Sequence, residues 1–97
     1  MYARTVTFDL NTDMWEEALV FGASVTDQIA GFPGLRSWVL VGNRETGKGT
    51  SFAVFENKQA FEAVNGEINE ILAGFAVYFT SAPSEQLGDV LAHADNA

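Results

Sequence analysis

The chain has no cysteine, one histidine and only five basic residues among its 97, and each shortage closes a line of chemistry. Without thiols there can be no disulfides, thiolate metal ligands or cysteine nucleophiles. His93 is the sole histidine, near the C-terminal end, so no pair has ligand spacing such as H-x-x-x-H. A metal site and Ser-His-Asp catalysis both lack their parts, and the expectation is a chain without metal or cofactor. The five cations, Arg4, Arg36, Arg44, Lys48 and Lys58, are scattered against 13 acidic residues, for a net charge of −8. Nucleic acids and anionic membrane surfaces are bound by clustered cations, so neither is an expected partner. No run of about 18 apolar residues occurs, which excludes a membrane-spanning helix. The start MYARTVTF does not resemble a signal peptide, and the expected location is the cytoplasm.

What is present is apolar. Hydrophobic residues make up 47% of the chain and aromatic residues 12%, too much for a disordered polymer. The length fits one domain, residues 1–97, with 84–97 as a C-terminal extension.

Ala3 to Leu10 is rich in β-branched and aromatic residues and predicts a first strand. Thr12 or Asp13 can cap a helix, Asp13 and Glu16 having capping-box spacing. In that helix Met14, Trp15, Ala18, Leu19, Phe21, Gly22, Val25 and Ile29 share a stripe. Gly31 and the FPG of Phe32 to Gly34 end it. Leu35 to Val41 predicts a second strand, the polar loop NRETGKG a hairpin connection, and Thr50 to Phe55 a third strand. That loop lacks the G-x-x-x-x-G-K-[ST] spacing of a phosphate cradle. Asn57 is the expected cap of a second helix through Ala60, Phe61, Val64, Ile68, Ile71 and Leu72, with Asn65 and Gly66 as a break point. Phe75 to Thr80 predicts the fourth strand, ended by Pro83, and the remainder a short amphipathic turn. The order β-α-β-β-α-β predicts an α+β, ferredoxin-like domain: a four-stranded antiparallel sheet with both helices on one face.

Splitting each strand by alternation, and assuming how the strands face one another, leaves one set with Val6, Phe8, Leu10, Val39, Val41, Phe52, Val54, Phe75, Val77 and Phe79. The other set holds Thr5, Thr7, Arg36, Trp38, Leu40, Ser51, Phe55 and Tyr78. Leaving Trp38, Leu40, Phe55 and Tyr78 in water would forgo about 1.5–3 kcal/mol each, and two helices cover only one side of a sheet. A second copy, packed sheet to sheet about a two-fold axis, is therefore expected.

The run GFPGLRSWVLV, Gly31 to Val41, the polar hairpin, and SFAVFENKQAFEAV, Ser51 to Val64, resemble the dimeric α/β-barrel proteins of the antibiotic-biosynthesis-monooxygenase type. In that family a PG turn enters the second strand and a W/F-E-s/n-x-x-A-F pattern joins the third strand to the second helix. Here the latter reads Phe55, Glu56, Asn57, Ala60 and Phe61. The resemblance spans roughly Tyr2 to Thr80, and it implies a homodimer whose two sheets form a barrel, with a pocket in each subunit. Members include cofactor-independent oxygenases of aromatic polyketides, haem-degrading enzymes, isomerases and proteins without a known reaction. The histidine that haem degradation would suggest near the second helix or fourth strand is missing.

On this reading Thr5, Thr7, Trp38, Ser51 and Phe55 line a small-molecule pocket, mostly apolar with a few polar groups. Arg36 pairs with a phenolate or carboxylate, Tyr78 passes a proton and Trp38 stacks on a flat aromatic ligand. Three readings stay open. One is a cofactor-independent monooxygenase of small aromatic or quinonoid compounds, with Arg36 and Tyr78 as catalytic residues. Another is a non-catalytic dimeric ligand-binding or regulatory module, with Arg36 in water and Trp38 and Tyr78 filling a dimer core. The third is a purely structural dimer without a usable pocket.

Overall fold

The computed structural model describes residues 1–95. Strand β1 (Tyr2–Asp9) leads through a 3-10 turn (Thr12–Met14) into α1 (Trp15–Ala30), then β2 (Leu35–Gly42), β3 (Lys48–Phe55) and α2 (Lys58–Phe75). A second 3-10 turn (Ala76–Tyr78) precedes β4 (Ser84–Asp89). All neighbouring strands are antiparallel, in the order β2-β3-β1-β4, so the ferredoxin-like α+β plan holds.

Helix α1 buries Ala18, Gly22, Val25 and Ile29 of its predicted stripe, whereas Leu19, of the same stripe, is exposed. Its entrance differs from expectation. Asn11 caps the 3-10 turn by accepting from the Asp13 amide at 3.0 Å, and Met14, at the start of α1 proper, makes no side-chain cap. Asn57 caps α2 as expected, its side chain accepting from the Ala60 amide at 2.8 Å. The helix passes unbroken through Asn65 and Gly66, because Ile68, Ile71, Leu72 and Phe75 continue its apolar stripe.

The expected fourth strand at Phe75 to Thr80 is a correction. Phe75 ends α2, and only Phe79 retains strand pairing, through an isolated bridge to Leu10. A short apolar run does not separate a buried helix end from a buried strand. Phe75, Tyr78 and Phe79, spaced i, i+3, i+4, are half-buried while Ala76 and Val77 are exposed, which is a helical pattern. The edge of β1 is paired instead by SEQLGD, from Tyr2↔Asp89 to Thr7↔Ser84, in the segment expected to be a turn. As an exposed edge strand it needs no apolar alternation.

The motifs behind the family resemblance meet in space. Gly34, at φ 80°, has no room for a side chain, since a Cβ there would lie 2.6 Å from the Ala60 Cβ. Its carbonyl accepts from the Glu56 amide at 2.8 Å. Beside this junction the core gathers Phe55, Phe61 and Val64, with the Phe55 and Phe61 rings edge to face at 5.7 Å.

Candidate ligand-binding cavity

Direct cross-strand partners share a face, so the register decides what looks toward the helices. Val6↔Ser51, Arg4↔Ala53, Leu40↔Ser51 and Trp38↔Ala53 put Arg4, Val6, Trp38, Leu40, Ser51 and Ala53 on one face, and Phe8 and Phe55 join them by alternation. Thr5↔Phe52, Val39↔Phe52 and Val41↔Thr50 put Thr5, Thr7, Val39, Val41 and Phe52 on the other. The sets expected from sequence therefore mix two faces, a second correction. A bulge between Leu35 and Ser37 contributes to it, shifting the alternation of β2 so that Leu35 and Trp38 both look inward.

Between the inner face and the helices lies a cavity of about 70 Å³, lined by aliphatic side chains and by Phe8, Phe32, Trp38, Phe55, Phe75 and Phe79. Leu40 lines it and is also solvent-exposed, which marks an open side. The enclosed space is roughly half the ~150 Å³ of an engineered apolar cavity that takes up benzene. A single aromatic ring would thus have to push side chains outward or project from the open side.

The wall carries little polarity. Trp38 Nε1 donates to Ser51 Oγ at 3.0 Å, which satisfies the indole. Arg4 is the one ionisable residue among the described residues of the lining, only 7% exposed in the middle of β1. One oxygen of Glu85, on β4, lies 2.7 Å from Arg4 Nε and 2.5 Å from Nη2. The Nε bond is well aligned, but buried Nη2 has no aligned hydrogen-bond acceptor despite that short approach.

No protein-family model matches the sequence, and no curated protein matches it either. Solved structures do. Rv0793 from Mycobacterium tuberculosis superposes with a TM-score of 0.80 at 16% identity, over 97% of this chain and 98% of that one. SnoaB, a cofactor-independent oxygenase from Streptomyces nogalater, gives 0.78 at 14% identity, over 98% and 97%. A monooxygenase from the ActVA-Orf6 gene of Streptomyces coelicolor, in complex with nanaomycin D, gives 0.74 at 14% identity, over 99% and 92%. The chain has the antibiotic-biosynthesis-monooxygenase fold. At such identities the likeness extends to this fold and leaves the chemistry open.

Within that fold, the residues expected at the site are divided. Trp38, Ser51 and Phe55 line the cavity together. Thr5 and Thr7 stand on the opposite face of the sheet. Arg36, at the bulge, is exposed and outside the lining. Tyr78, in the second 3-10 turn, is half-buried with its ring 6.2 Å from that of Phe21, also outside the lining. Sequence reasoning passed over Arg4. Its signal was a cation at the same strand parity as Val6 and Phe8, where an apolar residue belongs. Among the described residues no helix is long and apolar enough to cross a membrane.

Proposed function

We propose that the chain is a cytoplasmic, homodimeric protein that binds a small aromatic or quinonoid molecule in each subunit and acts on it as a cofactor-independent monooxygenase. The observation that carries this is the cavity: aromatic and aliphatic walls around one buried guanidinium. Oxygenation without a cofactor needs a substrate whose own carbanion reacts with dioxygen, so the protein has to stabilise an enolate or phenolate and exclude water. Arg4 supplies the charge and the rings supply the dry surface. Two oxygenases of the same fold lend support.

The dimer is inferred from the outer face of the sheet. Val39 and Val41 are each 52% exposed and Phe52 45%, in a cluster without a cover in the single subunit. A self-complementary apolar sheet face suits a second copy related by a two-fold axis. Light scattering should give twice the 10.5 kDa of the chain, and a monomer at micromolar concentration would refute the dimer.

The non-catalytic module remains the second reading, favoured by one observation. Among the described residues no Asp, Glu, His or Tyr lines the cavity, so none of them stands ready as a side-chain base to take a substrate proton. Oxygen uptake across a panel of polyhydroxylated aromatics separates the two. Turnover supports the oxygenase; saturable binding with no oxygen consumed supports the module.

A further inference from the structure

Arg4 has two jobs open to it, and clamping β4 through Glu85 accounts for only one edge of its guanidinium. Nε and the near side of Nη2 face Glu85 Oε2. The end of the fork, between the two terminal nitrogens, is the edge that grips a carboxylate or a pair of anionic oxygens with two parallel hydrogen bonds. Nη2 belongs to that edge, is shut off from solvent and has no aligned acceptor, while the residue is 93% buried in a wall otherwise free of charge. A clamp alone would serve as well from the surface. A charged residue in the wall of an apolar cavity suits a ligand that brings its own acceptor.

We propose that Arg4 is the anion-recognising group of this cavity, and that the ligand is a one-ring planar aromatic acid whose carboxylate or phenolate oxygen sits against the free end of the guanidinium. The proposal rests on the reading of the cavity as a ligand site and narrows its ligand class. Size favours a single ring: in 70 Å³ one ring already has to displace side chains or project from the open side, and fused rings would demand more of both. Charge sets the anion. Glu85 faces the adjacent edge, Nε and Nη2, and its side chain is 43% exposed, so water screens its repulsion of an incoming acid. The chain as a whole carries −8, so its overall field disfavours anions, and any preference for one has to arise locally.

The test is calorimetric titration of the intact protein with benzoate and with benzamide, planar probes of nearly the same size that differ in charge. Benzoate is expected to bind at least tenfold more tightly. Arg4→Met is expected to abolish that preference while keeping benzamide binding, and replacing a buried ion pair member by an apolar chain of similar length is compatible with folding when the partner can reach water. Glu85→Gln, which removes the competing carboxylate and keeps the side chain's length, is expected to tighten benzoate binding severalfold and leave benzamide unchanged. It carries the test should Arg4→Met not fold. Equal affinity of the native protein for both probes, a benzoate preference that survives Arg4→Met, or a preference indifferent to Glu85→Gln overturns the role of Arg4 and leaves the cavity reading standing. Failure of both probes to bind overturns both.

Discussion

Phe52 and Phe55 lie three residues apart on β3 and therefore on opposite faces, the first 45% exposed and the second 1%. The inner face, with two helices over it, is where a saturated core is expected, yet it holds a cavity and a buried cation. The outer face, with nothing over it, is where polar residues are expected, yet Val39, Val41 and Phe52 cluster there. Each face departs from the usual division in the direction that binding would require: the covered one is incompletely filled, and the open one is too apolar for water. Packing holds the subunit together around Phe55, Phe61 and Val64, and Phe55 belongs both to that core and to the cavity wall.

The two phenylalanines give the sharpest way to break that contrast. Phe55→Ala removes a ring in contact with Phe61 and should lower unfolding free energy by about 3–5 kcal/mol, read from urea denaturation. The same change at Phe52 should cost an isolated subunit far less, because much of that ring is already in water. Comparable losses at low protein concentration would mean that the outer face is covered within the subunit, and the contrast would fail. Next in size, Phe52→Glu places a charge in the middle of the proposed interface and should shift light scattering from twice the chain mass to a single copy, with the helical circular dichroism kept. A variant that remains dimeric would move the interface elsewhere.

How far this contrast was legible beforehand depends on what each residue's signal was local to. The cap at Asn57, the stop after Ala30 and the first three strands are written in neighbours within a turn or a strand, and they stand where expected. The PG turn and the pattern holding Ala60 were readable as two separate motifs of a resemblance, and their meeting, where a Cβ added at Gly34 would lie 2.6 Å from the Ala60 Cβ, comes from the structure. Two things were not local. Alternation says that Trp38 and Val39 differ in face, but not which of them shares a face with Val6; that is set by register and by a bulge that pushes Arg36 out of sequence with Trp38. The fourth strand was hidden because SEQLGD is polar and gains its order from the free edge of β1, while the apolar GFAVYF drew the assignment to itself. The site followed the register. Trp38, Ser51 and Phe55 came together, Thr5 and Thr7 went to the far face, and Arg4 entered the wall unannounced.

Smaller effects sharpen the inner face. Trp38→Phe removes the bond from Nε1 to Ser51 Oγ and retains most of the ring, so a loss of about 0.5–1.5 kcal/mol is expected in denaturation. Because the smaller ring thins the cavity wall, the variant should admit benzamide at least as well as the native protein. A loss of binding would show that the indole itself holds the ligand, as by stacking.

The smallest expected effect tests the outer face most finely. Lys48 and Asp9 are register partners at the end of that face, 3.3 Å apart, with side chains 76% and 41% exposed in the single subunit. An exposed pair of this kind is worth about 0–1 kcal/mol, and screening by salt takes most of that away. Lys48→Met should therefore change stability by no more than a few tenths of a kcal/mol if water surrounds the pair. If a second sheet lies over it, Asp9 loses both its partner and its access to water, and the cost rises toward that of a broken buried pair and resists 1 M salt. Measured as a function of protein concentration, the salt-insensitive part of the Lys48→Met cost should fade on dilution along with the dimer; a cost that ignores dilution would place the desolvation inside the subunit.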